Sequence, residues 1–172
     1  MIIWKTNIIK LLYYYIINIS KLKLYLKMES LDDPIDMSKL AISPIAKPMA
    51  SEKLTMKLIG LISKLSKVKL IKRGVKEVNK FYRKEESKKK KCICILAGDV
   101  SPVDVISHIP ILCEKNNVPY VYIPSRQALG TASQTKRPTS VVILLEPPED
   151  NKHYESFQKI KKVVMKYDEE YE

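Results

Sequence analysis

From Ser51 onward the apolar residues Leu54, Leu58, Leu61, Ile62 and Leu65 recur at steps of three and four. That spacing predicts a helix with one buried stripe, and Ser51 stands where a capping hydroxyl belongs. A second helix, from about residue 73 to residue 84, sets Val75, Val78 and Tyr82 on one side and Lys76, Lys80, Arg83 and Lys84 on the other. Cys92 to Ala97 is a short apolar run bounded by lysines and by Gly98-Asp99, the mark of a buried strand. Ser101-Pro102-Val103-Asp104 has the form of a helix start, with a capping hydroxyl, proline at the first position and an acid three residues after the cap. The helix it opens has a broad apolar face, Val105, Ile106, Ile109, Leu112 and Cys113, and a kink is expected at Pro110. A strand at 120–123, a helical turn around 126–132, a strand at 141–145 and a last helix with Phe157, Ile160, Val164 and Tyr167 on one face complete the pattern. Strands alternating with helices predict a layered α/β domain over residues 51–172.

Ahead of this domain the pattern fails. Residues 28–50 contain Pro34, Pro44, Pro48 and an acidic patch, and read as an irregular arm. Residues 1–27 hold five lysines and no acid, with an apolar-aromatic run from Ile8 to Ile19 interrupted by Lys10 and Asn18. The run is shorter than a membrane span needs, and no small-residue cleavage site follows it. An interfacial or anchoring segment, a disordered tail, and an extension upstream of an effective start at Met28 all fit; the last is preferred.

Charge narrows the partners. The chain of 172 residues has a formal charge of +12, enough length for one domain with a core and too little for two ordinary ones. Residues 53–91 contain 15 Lys or Arg against 3 acids, whereas residues 92–172 contain 9 against 11. Charge concentrated in one stretch is the footprint of nucleic-acid binding, while evenly spread charge serves only solubility. The lysines from 88 to 91 taken alone read as a solvated loop.

The chemistry-bearing residues do not converge on catalysis. Cys92, Cys94 and Cys113 lack the paired spacing of a zinc site, and an odd number of thiols fits a reducing compartment. Cys92 and Cys94 share one face of their strand and read as buried thiols. With glycine only at 60, 74, 98 and 130, neither a dinucleotide fingerprint nor a Walker loop can be assembled. Asp99, His108 and Ser101 are the one conceivable acid–base set, but capping accounts for Ser101 and a lone helical histidine is commonly structural. No metal or cofactor is expected.

The candidate site is instead the start of the second helix. Gly74 permits close backbone approach, free N–H groups there favour phosphate, and Lys72, Arg73, Lys76 and Lys80 add charge. Glu77 stands out among these cations. Either it pairs with Lys80 or Arg73, or it accepts hydrogen bonds from base edges of an unstacked RNA element.

The segment Cys113-Glu114-Lys115-Asn116-Asn117-Val118-Pro119-Tyr120-Val121-Tyr122-Ile123-Pro124-Ser125-Arg126-Gln127-Ala128-Leu129-Gly130 resembles the signature of the kink-turn-binding ribosomal-protein family. Arg73-Gly74-Val75-Lys76-Glu77-Val78-Asn79-Lys80 resembles that family's RNA-contacting helix start, and Leu96-Ala97-Gly98-Asp99 the strand end that follows. Together with Pro44-Ile45-Ala46-Lys47-Pro48, these stretches resemble most closely the branch whose members are protein subunits of H/ACA ribonucleoproteins.

The resemblance implies a three-layer α/β/α sandwich with a small mixed sheet. It implies a non-catalytic scaffold in the nucleolus, bound to H/ACA guide RNA, to a separate pseudouridine synthase subunit and to two other small core proteins. No small-molecule substrate and no membrane partner are implied. It favours base contact by Glu77, it assigns a second RNA surface to the loop Gln134-Thr135-Lys136-Arg137-Pro138-Thr139, with Lys136 and Arg137 as contacts, and it counts Ser101 among the RNA-binding residues. Three residues depart from the family's strongest kink-turn binders. Lys76 replaces Asn, Ser101 replaces an acid and Gln134 replaces Gly. The first two changes remove base-edge partners, so weaker discrimination for kink-turns and greater salt sensitivity are expected.

Overall fold

The computed structural model describes residues 42–83 and 91–169. The readings made above for residues 1–41, for Lys84 and for the lysines at 88–90 lie outside the described residues.

The fold is built around strand β2, Cys92–Ala97, in which every residue is buried. A run with no polar position suits a central strand covered on both faces. Strand β3, Tyr120–Ile123, lies parallel to β2, while β4, Val141–Leu145, runs antiparallel on its other side. A short strand β1, Ile71–Arg73, pairs antiparallel with β4 and completes a mixed sheet of order β1-β4-β2-β3. The pattern of apolar positions does not reveal β1, because Lys72 and Arg73 are exposed and only Ile71 contributes to the core. Arg73 therefore ends a strand and does not begin a helix.

Among the described residues five helices cover the sheet: α1, Glu52–Lys67; α2, Val75–Arg83; α3, Asp104–Lys115; α4, Arg126–Ala132; and α5, Tyr154–Glu169. Helix α1 packs against α4 and α5, while α2 packs against α3, giving the expected three-layer α/β/α sandwich. The predicted stripe Leu54, Leu58, Leu61, Ile62 and Leu65 is buried, as are Phe157, Ile160 and Val164 of α5. Among the described residues no helix is long and apolar enough to cross a membrane.

Two helix starts differ in detail from their sequence signatures. Ser51 occupies the cap position of α1 but makes no capping bond. Its hydroxyl instead accepts from the Tyr167 hydroxyl at 3.1 Å, fastening α5 to α1. Ser101 is exposed, and α3 begins later, at Asp104, without a side-chain cap. The donors of its first turn are met by main chain: Val105 N–H reaches the Pro102 carbonyl, and Ile106 and Ser107 reach that of Val103. The helix continues through Pro110 to Lys115.

The described part of the arm, residues 42–50, has no regular element, yet it belongs to the domain. Ala46 and Ala50 are in the core, Tyr122 N–H donates to the Pro48 carbonyl, and Ala50 N–H donates to that of Tyr122. This pairing covers the β3 edge, which otherwise presents unpaired main chain. Ser43 N–H donates to the Gly98 carbonyl, and a Cβ at Gly98 would stand 3.0 Å from the Met49 terminal methyl. The glycine makes room for the arm.

On the α2–α3 side the three thiols meet as a buried cluster, with the Tyr82 hydroxyl 3.3 Å from Cys113 Sγ. Burial pushes the Cys92 thiol up from its ordinary 9.0 to about 12, and Cys94 is raised by its contact with Cys113 and by burial. Thiolates are the reactive form, so these groups are expected to be inert in the native protein. Maleimide labelling at neutral pH should modify none of them until denaturant is added. A thiol held neutral by folding contributes stability that is complete below the unfolded value and lost as pH rises. Denaturant midpoints should therefore hold below pH 9.0 and fall between there and about pH 12.

Candidate nucleic-acid interface

Sheet polarity gathers the candidate residues. Because β4 is antiparallel to both β1 and β2, and β3 parallel to β2, the C-terminal ends of β1, β2 and β3 meet the N-terminal end of β4. At that end lie Arg73 and Gly74, the start of α2, the β2–α3 turn with Ser101, the start of α4, and the loop before β4 with Lys136 and Arg137.

Gly74 is the joint between β1 and α2. Its φ of +86° lies in the left-handed region open chiefly to glycine. Its N–H donates to the Val141 carbonyl at 2.8 Å and its carbonyl accepts from Val78 N–H at 3.1 Å. The Gly74 donor is thus taken, and the donors that remain for a phosphate are those of the first turn of α2. Space for a Cβ at Gly74 is open, so backbone shape and not crowding demands the glycine.

Lys72, Lys76, Glu77, Lys80, Ser101, Lys136 and Arg137 are all exposed. Among the described residues Glu77 forms no ion pair with Lys80 or Arg73. Arg73, assigned above to phosphate, donates through Nη1 to the Ser133 carbonyl at the C-terminal end of α4. This bond ties the end of β1 to the loop before β4, so Arg73 positions the start of α2 against that loop while its exposed edge keeps further donors.

That loop is seated by a glycine whose role the sequence pattern did not reveal. A Cβ on Gly130 would collide with the Arg137 carbonyl and stand 3.2 Å from Pro138 Cα. Thr135 N–H donates to the Gly130 carbonyl, Thr139 N–H to that of Arg126, and Thr135 Oγ1 donates to the Arg137 carbonyl while accepting from Arg137 N–H. The side chains of Lys136 and Arg137 project from a pinned turn. Gln134 within it has φ +58°, so the turn keeps the shape a glycine would adopt, and the glutamine bears the cost of the left-handed conformation.

Asp99 and His108, the conceivable acid–base pair, have structural partners. Asp99 accepts from Arg126 N–H at 2.7 Å and lies 3.9 Å from its Nε, joining the end of β2 to the start of α4. His108 Nε2 lies 3.1–3.2 Å from the Asn79 carboxamide, across from α3 to α2. Among the described residues no group of three or more His, Cys, Asp or Glu side chains is arranged to hold a metal ion.

A layered α/β/α domain with a cationic helix start beside a pinned basic loop defines an RNA-binding class of protein. The chain matches the model of the Ribosomal protein L7Ae/L30e/S12e/Gadd45 family over residues 56–155, and it belongs to that family. It is 46% identical over 123 residues to the H/ACA ribonucleoprotein complex subunit 2-like protein of Arabidopsis thaliana, covering 71% of this chain and 76% of that protein. It is 51% identical over 109 residues to the H/ACA ribonucleoprotein complex subunit 2 of Bos taurus, covering 63% and 68%. Among solved structures it is similar to the Giardia lamblia 15.5kD RNA binding protein, with a TM-score of 0.62, 30% identity and coverage of 74% of this chain and 98% of that one.

Two substitutions test how the loop is built. Gln134→Gly should raise stability by roughly 0.5–1 kcal/mol, because relief of the left-handed glutamine outweighs the added freedom of the unfolded chain. Gly130→Ala should lower stability by about 1–3 kcal/mol through the collision with the Arg137 main chain. Urea unfolding of both variants checks the signs.

Proposed function

We propose that this protein is a non-catalytic, RNA-binding subunit of an H/ACA ribonucleoprotein that directs pseudouridylation of ribosomal and small nuclear RNA. The single observation that carries this reading is the convergence of the α2 start and the 133–139 loop at one end of the sheet, in a chain that over 109–123 matched residues is 46–51% identical to proteins named as H/ACA subunits. Its expected partners are the guide RNA, the separate synthase subunit and two other small core proteins, and its expected place is the nucleolus.

The chemistry of binding follows from the site. First-turn N–H groups of α2, with Lys72, Lys76 and Lys80, hold phosphates in a register fixed by the backbone and indifferent to sequence. Glu77, exposed and without an ion pair among the described residues, repels phosphate and accepts hydrogen bonds from base amino or imino groups splayed out of a bent element. Lys136 and Arg137 approach the same element from the pinned loop. Lys76 and Ser101 make the contact more electrostatic and less selective than an Asn and an acid would. Selectivity in the particle then depends more on neighbouring proteins.

These roles separate in a titration against an H/ACA hairpin and an unbroken duplex of equal length. Glu77→Gln should cost about 1–3 kcal/mol on the hairpin alone, with an unchanged salt slope. Lys80→Gln should weaken both RNAs and lower the salt slope by about one. Equal losses for the two RNAs in Glu77→Gln would remove base contact from the mechanism.

A further inference from the structure

Helices α1 and α5 pack together in the layer across the sheet from α2 and α3, with the start of α1 beside the end of α5, where Tyr167 bonds Ser51. On α1, Lys53, Lys57, Gly60 and Lys64 fall within about 60° of one another around the helix, turned away from its buried stripe. Ser66, on the opposite flank, donates to the Ser133 carbonyl at the end of α4, so the lysine flank is the one toward α5. On α5, Val163 lies one turn before Tyr167, on the side that meets α1, with Lys159 and Lys166 one turn to either side of it and Lys162 next to them. All six lysines are exposed, and among the described residues the one carboxylate paired with any of them is Glu155, 3.7 Å from Lys159. Met56 and Val163 stand exposed among the lysines, at 56% and 40%. Gly60 is the residue the fold does not explain. It lies inside α1, where glycine weakens a helix relative to alanine, yet its φ is not positive and a Cβ there would meet nothing within 4 Å. The chain thus leaves bare main chain at the centre of the α1 lysine stripe.

We infer that the outer seam of α1 and α5 is a docking surface for an acidic amphipathic helix of a protein partner. Gly60 lets that helix lie close to the α1 main chain, and its apolar residues, three and four apart, rest on Met56 and Val163. Its carboxylates meet lysines from both sides of the seam, which sets its orientation and steers its approach. Nucleic acid suits the surface less well. The N–H groups around Gly60 are spent within α1, so a phosphate gains no donors from the bare turn, and a phosphate backbone gains nothing from exposed Met56 and Val163. The seam shares no residue with the α2 start or the 133–139 loop, so both surfaces can be occupied at once, and the inference holds independently of what the α2 start binds.

The test uses the full chain and three probes in fluorescence anisotropy at physiological salt. The first is a synthetic Glu/Leu peptide of about five helical turns with leucines three and four apart; the others are the same composition scrambled and an unbroken RNA duplex. The patterned peptide should bind about tenfold more tightly than its scramble, and Lys57→Glu combined with Lys64→Glu should remove that advantage while changing duplex affinity less than about twofold. Gly60→Ala separates docking from folding. It should weaken the patterned peptide about 3–10-fold while raising the melting temperature by roughly 2–4 °C, whereas a glycine needed by the fold itself would lower it. Circular dichroism confirms that each variant is folded. Equal binding of the two peptides would overturn the inference, as would a Gly60→Ala variant that melts lower or keeps its full peptide affinity. A double variant that loses as much affinity for the duplex as for the peptide would make the seam a phosphate surface and overturn it too.

Discussion

The position of β4 between β1 and β2, antiparallel to both, governs how the surface is composed. Because β4 enters the sheet at the end where β1 and β2 leave it, residues far apart in sequence become neighbours. Gly74 N–H meets the Val141 carbonyl, Ala97 N–H meets the Ser140 carbonyl, and Arg73 reaches Ser133. These bonds are mostly main chain, so they depend on pairing register more than on residue type. Their effect is to hold a helix start and a basic loop in fixed relation on a rigid sheet. A preorganised surface of this kind spends little conformational entropy when it meets its ligand.

Around this frame, glycines act where backbone shape or crowding demands them. Gly74 turns the chain from strand to helix, Gly130 lets the 137–138 main chain lie on α4, and Gly98 admits the arm that covers β3. The charged residues take less part in the architecture. Apart from Asp99 with Arg126 and the Arg73 tie, the basic side chains of the site, Lys72, Lys76, Lys80, Lys136 and Arg137, are exposed, and their charge remains available to a polyanion. Folding and binding thus draw on different residues, which allows the surface to be strongly cationic without weakening the core.

Much of the fold was legible in the chain because its strands are unbroken apolar runs and its long helices have clean stripes. The limits of β2, β3, β4 and α4 follow from runs ended by Gly, Pro, Ser or charge. The features that escaped share one trait: the bonds that satisfy them do not follow from the identity of the residues at those positions. Strand β1 is three residues with one apolar side chain, Ser51 accepts from Tyr167 and does not cap its own helix, and α3 starts on carbonyls from its own turn. The site divides likewise. Exposure and grouping of Lys76, Glu77 and Lys80 could be anticipated from helical spacing, but the role of Arg73 as a tie and the seat that Gly130 provides needed the folded geometry. A positive φ at Gln134 is the clearest case, since the turn it belongs to outweighs the preference of the residue.

The central claim is that the convergent surface serves guide RNA of the H/ACA class, and in-cell crosslinking of the full-length protein followed by sequencing of the attached RNA addresses it directly. The account predicts enrichment of H/ACA guide hairpins, with crosslinks on peptides spanning the α2 start and the 133–139 loop. Dominance of ribosomal or C/D-type RNAs would contradict the H/ACA assignment within an intact family reading, and absence of enriched RNA would contradict the claim outright.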